Sequence, residues 1–158
     1  VVRGTNIMKG YWNKPEQTAS VLRDNWYYTG DLGSMHPEGY IFLVDRAKDM
    51  IVSGGENVYS TEVEEVLYRH PSVLEAAVFG IPDGTWGEAV HAAVVLRPET
   101  EAVDATTLIA FCRDHIGGYK VPKSIDFQTE PLPKSGPGKF LKRELRAPYW
   151  EGHETQIN

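Results

Sequence analysis

The hydrophobic pattern changes period along the chain, and each change predicts an element. Residues 13–22, "NKPEQTASVL", predict a short helix set among aromatic residues that read as strands. "GSMHPEGYIFLVDR" reads as a hairpin with its turn at His36-Pro37-Glu38-Gly39, before the apolar strand "YIFLV". So short a β-rich unit is hard-pressed to build its own core, and reads as the end of something larger. Thr61 and Glu64 then stand at capping-box spacing, and Val63, Val66 and Leu67 follow at i, i+3, i+4, which predicts an amphipathic helix stopped by Pro71. The runs "VLEAAVFGI" and "AVHAAVVLRP" are nearly continuous apolar segments of strand length, as expected of strands covered on both faces. Asp104 is placed to cap "ATTLIAFCRDHI", whose Leu108, Ile109, Cys112 and Ile116 share one side before Gly117-Gly118 ends the helix. "KSIDFQ" makes a further strand, and "FLKRELRAPYW" a last helix. The expected class is α+β: a small carboxy-terminal domain with a central, mostly antiparallel sheet flanked by helices, preceded by a β-rich remnant.

Composition narrows the setting. At 158 residues, with 41% apolar residues, 24% charged residues and 15 glycines, the sequence fits a globular protein with room for one compact core. No apolar run approaches the ~18 residues of a transmembrane segment, and "VVRGTNIMKG" lacks the apolar stretch of a signal peptide, so a cytoplasmic setting is expected. The one cysteine, Cys112, can form no internal disulfide and falls on an apolar helical face, where packing is expected of it. A net charge of −6 argues against nucleic acid as a partner. Between Lys120 and Arg146, however, seven Lys or Arg stand against three Asp or Glu, whereas residues 47–119 hold four against twelve. This basic tail on an acidic body points to a local anionic ligand, or else to solvated lysines around a surface helix.

Four stretches could carry chemistry. "SGPGK" is not the phosphate-cradling loop: Phe140 stands in place of its Ser or Thr, and Pro133 or Lys134 stands where its first glycine belongs. What remains is Lys139 on a loop between prolines and glycines, either a charge that can be brought to a site and withdrawn or an incidental surface lysine. "YYTGDLG" places Asp31 at the end of a strand before a glycine turn at Gly33, where a carboxylate can accept two hydrogen bonds from vicinal hydroxyls. "DRAKD" is a charged connector between two units. "SGGENVY" sets Gly54 and Gly55 where a backbone could approach a narrow ligand closely, or where a hairpin simply turns. The five histidines are scattered with no metal-ligand spacing, so no metal site is expected, and no Gly-x-Ser-x-Gly elbow marks a serine hydrolase.

Together, "GYWNKPEQT", "WYYTGDLG", "GYIFLVDRAKDMIVSGGENVYSTEVEEVL", "HPSVLEAAVFGIPDGTWGEAVHAAVV", "YKVP" and "LPKSGPGKFLKREL" occur in the order seen in adenylate-forming (AMP-binding) acyl-CoA synthetases. From about Gly10 to Arg146 the sequence resembles the carboxy-terminal portion of that family, nearest its fatty-acyl and aryl-acyl CoA ligases. The resemblance implies residue roles. Asp31 matches the aspartate that binds the ATP ribose hydroxyls, and Arg46 the arginine that assists at the same nucleotide. Lys48 occupies the hinge position, Gly54 and Gly55 line the passage for CoA, and Lys139 orients the carboxylate and the α-phosphate during adenylation. It also implies domains: 1–45 as the β-rich end of a large amino-terminal AMP-binding domain, 46–49 as the hinge, and 50–158 as the mobile carboxy-terminal domain.

The implied reaction joins a carboxylic acid to ATP, giving acyl-AMP and pyrophosphate, and then to CoA, giving acyl-CoA and AMP. Ser60 departs from the pattern, since many members have proline there, which leaves Thr61 to cap the helix. The family's phosphate loop, acyl pocket and magnesium-binding glutamate belong upstream of Val1, so ATP and CoA are expected as substrates, Mg2+ as a cofactor held in a missing amino-terminal domain, and this chain alone as inactive. Two other readings share the sequence: an adenylation domain loading a carrier protein or a luciferase-like oxygenase, and a non-catalytic binding module. The stretch "DRAKDMIVSGGENVY" favours the CoA ligases over the first. The joint presence of Asp31, Arg46, Lys48 and Lys139 speaks against the second.

Overall fold

The computed structural model of the chain describes residues 1–101 and 103–153 and divides them into two compact units, Val1–Ala47 and Lys48–Asn158. The division falls within the 46–49 connector.

The first unit is a set of small hairpins. Helix α1 (Pro15–Val21) begins on proline, whose fixed φ and missing N–H suit the first turn, and leads into β1 (Leu22–Arg23) and β2 (Trp26–Tyr27). The turn between these strands, Asp24-Asn25, has φ of +50° and +64°, the left-handed pair that a two-residue hairpin requires. Strands β3 (Asp31–Met35) and β4 (Ile41–Arg46) form the second hairpin, closed by the Gly39 N–H to the His36 carbonyl at 2.8 Å. No residue of these strands is buried, in keeping with a segment too short for a core of its own.

The second unit is built on one long hairpin. Strands β7 (Val73–Asp83) and β8 (Gly87–Leu96) pair antiparallel over almost their full length. On the far side of β8 lie β5 (Ile51–Ser53), antiparallel and itself paired with β6 (Glu56–Val58), and β9 (Ser124–Gln128), parallel. Side chains of β7 and β8 supply two cores, one on each face. Val73, Ala76, Val78, Val90, Ala92 and Val94 face helices α2 (Ser60–Tyr68) and α3 (Ala105–Arg113). Ala77, Phe79, Ala93 and Val95 face Leu132, Phe140 and helix α4 (Lys142–Trp150). The apolar runs lacked alternation because both faces are covered, as expected.

Helix α3 is capped as predicted, with Asp104 Oδ1 accepting the Thr107 N–H at 2.7 Å. It ends at Arg113, three residues short of expectation, because the His115 and Ile116 N–H groups both turn back to the Cys112 carbonyl. Cys112 is buried in the core, and burial pushes its thiol up to about 11. The predicted cap of α2 is corrected. Its N-cap is Tyr59, with no side-chain cap bond, and Thr61 lies within the helix. Glu64 is diverted to the sheet, where it accepts the Val78 N–H at 2.8 Å. Among the described residues no helix is long and apolar enough to cross a membrane.

Candidate functional site

In the first unit the fold brings Asp31 and Arg46 together. Asp31 opens β3 and Arg46 closes β4; they are direct cross-strand partners, with Arg46 Nε 3.7 Å from Asp31 Oδ1. Asp31 thus starts a strand where the sequence suggested the end of one. Gly33 lies inside β3 at a register shift, not in a turn, and a Cβ there would meet the Phe42 carbonyl oxygen at 2.7 Å. The Thr29 hydroxyl accepts the Asp31 N–H at 3.0 Å, and the Ala47 N–H reaches the Gly30 carbonyl at 2.8 Å. Both charged side chains keep solvent-facing surface, 47% for Arg46 and 34% for Asp31. Such an exposed pair adds little stability and leaves both polar heads available to a ligand.

The other four candidates belong to the second unit. Lys48 lies in an exposed 3-10 turn, Ala47–Asp49, and its carbonyl accepts from Arg146 Nη1 of α4 at 3.4 Å. Gly54 and Gly55 make the β5–β6 turn with φ of +61° and +84°, so the hairpin turn is what the structure shows of them. A Cβ on Gly54 would stand 2.6 Å from the Trp86 ring, while one on Gly55 would meet nothing within 4 Å. Trp86 accepts the Gly54 N–H through its carbonyl at 2.9 Å. It is set in place by Asp83 Oδ1, which accepts the N–H groups of Trp86 and Thr85 at 2.9 and 2.8 Å, and those bonds hold the Asp83 carboxyl below its ordinary value. Buried Glu88 accepts the Val52 N–H at 2.8 Å and fixes β5 against β8; its burial raises the carboxyl above the usual range, against the opposing pull of that bond and of Arg146.

Lys139 ends a tight ribbon. The Ser135 N–H donates to the Lys139 carbonyl, the Gly138 N–H to the Ser135 carbonyl and the Leu141 N–H to the Pro133 carbonyl, each at 2.8 Å, with Gly138 at φ +85°. Three lysines of the basic tail around it are matched by the acidic body. Lys120 pairs with Glu62 at 2.7 Å, Lys142 with Glu64 at 2.7 Å and with the Ser60 hydroxyl at 2.6 Å, and Lys134 with Glu75. The charge excess read in the sequence is therefore in good part internal pairing. Lys139, like Lys123 and Arg143, is exposed and, among the described residues, its side chain has no hydrogen bond or ion pair.

The Gly54-Gly55 turn and the Lys139 ribbon lie at opposite ends of the long hairpin. The former is held at the Asp83–Gly87 end and the latter at Glu75, eight residues away along β7. At ~3.3 Å per residue that is roughly 26 Å of strand.

Sequence reasoning set the histidines aside, yet His91 is 1% exposed and central to how α4 is held. Its Nδ1 is 2.7 Å from Ser124 Oγ and its Nε2 is 3.1 Å from the Tyr149 hydroxyl, which donates to Asp126. Burial lowers the His91 value despite the nearby Asp126 carboxylate, and burial together with Asp126 pushes Tyr149 up to about 12. Among the described residues no three His, Cys, Asp or Glu side chains form a group that could hold a metal ion.

Residues 62–139 match the family model of the AMP-binding enzyme C-terminal domain. The chain is 52% identical over 146 residues to a feruloyl-CoA synthase of an Amycolatopsis species, covering 92% of this chain and 29% of that protein. It is 50% identical over 156 residues to a long-chain-fatty-acid–CoA ligase of Bacillus subtilis, covering 99% of this chain and 28% of that one. Among solved structures, the o-succinylbenzoate CoA synthetase of Bacillus subtilis in complex with its acyl-adenylate intermediate superposes with a TM-score of 0.82 at 38% identity, over 91% of this chain and 29% of that one. The chain thus spans less than a third of the length of these relatives.

Proposed function

Because the chain belongs to the AMP-binding enzymes and matches the carboxy-terminal portion of their acyl-CoA ligases, we propose that it serves an ATP-dependent acid–thiol ligase that makes acyl-CoA, AMP and pyrophosphate. In this reading 1–45 ends a large amino-terminal domain, 46–49 is the hinge and 50–158 is the mobile domain. Asp31 accepts hydrogen bonds from the ribose hydroxyls of ATP, and Arg46 assists at the same nucleotide. The substrate acid is an organic carboxylate, whose acyl chain is selected outside these residues.

In the first half-reaction a carboxylate oxygen attacks the α-phosphorus, the bond to pyrophosphate breaks, and acyl-AMP forms. Anion meets anion, so the step needs a cation placed between them. Lys139, exposed and unpaired at the end of its ribbon, supplies that charge where it develops in the transition state. In the second, the CoA sulfur attacks the acyl carbonyl carbon and AMP leaves with the electron pair of the broken C–O bond. The open backbone at Gly55 suits passage of a narrow pantetheine arm.

The observation that carries the reading is the placing of Lys139 and the Gly54-Gly55 turn at opposite ends of one hairpin. Two features separated by a rigid strand pair serve one reacting centre in succession, through reorientation of the whole domain about Lys48. In the full-length enzyme, Lys139→Ala is expected to lower carboxylate-dependent ATP–pyrophosphate exchange about 10²-fold or more, while thioester formation from supplied acyl-AMP persists. Exchange within a few-fold of wild type would show the assignment to be wrong.

A further inference from the structure

A lysine that works by position needs its loop held, and the structure shows what holds this one. Strand β7 carries a register shift between Val73 and Glu75. Under simple alternation Glu75 would share the face of Val73 and point into the α2–α3 core. The shift leaves Leu74 as the extra residue and moves Glu75 to the opposite face, that of Ala77 and Phe79, where Leu132 and Phe140 pack. There the carboxylate binds the start of the Lys139 ribbon twice. Oε2 accepts the Leu132 N–H at 2.8 Å, and Oε1 takes the Lys134 ammonium, which also lies over the Phe140 ring at 5.2 Å.

Lys134 and Phe140 are the bridge partners that close the ribbon on either side of Ser135–Lys139. The chain of contacts is continuous, from Glu75 to Lys134 and Leu132, across the ribbon, and so to the backbone of Lys139. The Glu75 side chain is only 14% exposed. Burial works to raise its carboxyl, but the Lys134 ammonium and the Leu132 N–H outweigh burial and hold it below the ordinary value. It is therefore a carboxylate at neutral pH, placed by a bulge at the start of the apolar run of β7.

We propose that Glu75 is a positioning residue for Lys139: it fixes the ribbon that presents the lysine ammonium during acyl-adenylate formation, an inference that rests on the adenylation role of Lys139. The domain then delivers Lys139 as part of a rigid body, and the precision of delivery is set at Glu75.

The test uses the full-length ligase and measures the two half-reactions separately. Glu75→Ala is expected to lower kcat for ATP–pyrophosphate exchange about tenfold, within the ~10²-fold that an ångström-scale misplacement can cost. KM for ATP and thioester formation from supplied acyl-AMP should each stay within about twofold. Glu75→Gln, which keeps an acceptor for the Leu132 N–H, should fall between Glu75→Ala and wild type. Lys134→Met removes the ion pair from its exposed side without disturbing a buried position and should match Glu75→Gln. The Glu75→Gln/Lys134→Met double variant should be no worse than either of these single ones, because both break the one Glu75–Lys134 link.

Equal losses in both half-reactions would overturn the proposal by reducing Glu75 to a support of the fold. Unchanged exchange in Glu75→Ala and Lys134→Met, with exchange lost in Lys139→Ala, would overturn it while sparing the lysine assignment. Unchanged exchange in Lys139→Ala would overturn both.

Discussion

The two glycines of the β5–β6 turn look equivalent in sequence and are not equivalent in structure. Both have positive φ, so a side chain at either strains the backbone by ~1–2 kcal/mol. Gly54 carries a second constraint, since its Cβ would be 2.6 Å from the Trp86 ring, whereas Gly55 faces open space. Gly54→Ala should therefore destabilise the protein more than Gly55→Ala, by about a further 1 kcal/mol, at the low end of what overpacking costs. Denaturant midpoints measure the difference, and Trp86→Ala should remove it by taking away the ring. Equal midpoints for the two single variants would mean that the turn does not rest on Trp86. Gly55, with nothing above it, is then constrained by conformation alone, which fits a backbone kept bare for a ligand.

At the scale of elements, α4 is the helix whose anchorage the sequence concealed. Its last turn is bonded through Tyr149 to both His91 and Asp126, and through the Trp150 Nε1–H to the Gly80 carbonyl at 3.1 Å. Tyr149 spends its one proton on Asp126, so its oxygen accepts from His91 Nε2–H, and Nδ1 accepts from Ser124; the pattern is complete with His91 neutral. His91 is lowered from an ordinary value of 6.5, chiefly by burial. An unfolded chain then takes up the proton more readily than the folded one, so this contribution to stability is full above about pH 6.5 and is lost as pH falls through the folded value. The thermal midpoint should decline between about pH 7.5 and 5.5, and His91→Gln, which cannot charge, should flatten that decline. A wild-type midpoint independent of pH over this window would contradict the account. Helices and strands whose faces repeat, such as "VLEAAVFGI" and "ATTLIAFCRDHI", were legible because burial imprints a period on sequence. The His91–Tyr149 pair, 58 residues apart, and the Glu75–Leu132 bond, 57 apart, leave no such imprint. Glu75 could still have been suspected, as a lone charge within an apolar run. The Thr61 cap failed for a related reason, because Glu64 found better partners in Val78 and Lys142 than in its own helix end.

At the scale of the molecule, the long hairpin that lies between the Gly54-Gly55 turn and the Lys139 ribbon also limits how the two can act. A strand pair covered on both faces by buried side chains does not bend to bring its two ends to one point. If Lys139 and the Gly54-Gly55 turn serve the same substrate, the domain must reorient as a body, and the backbone change must be absorbed at its border. The division between the two units lies at Ala47 and Lys48, in an exposed 3-10 turn where few side chains would resist such a change. Proline at position 48 would fix φ near ~−65° and bias Ala47 away from helical backbone, so it should restrict the connector to one conformation. In the full-length enzyme Lys48→Pro is accordingly expected to depress one half-reaction by at least about tenfold, while the other stays near wild type and the thermal midpoint shifts little. Rates of ATP–pyrophosphate exchange and of thioester formation from acyl-AMP, compared in the same preparation, decide the matter. If both are untouched, Lys48 is not the pivot. If both fall together with the midpoint, proline has damaged the fold and not the motion. A loss confined to one half-reaction has no explanation in local chemistry, because among the described residues Lys48 offers its neighbours only a backbone carbonyl, which accepts from Arg146 Nη1 at 3.4 Å.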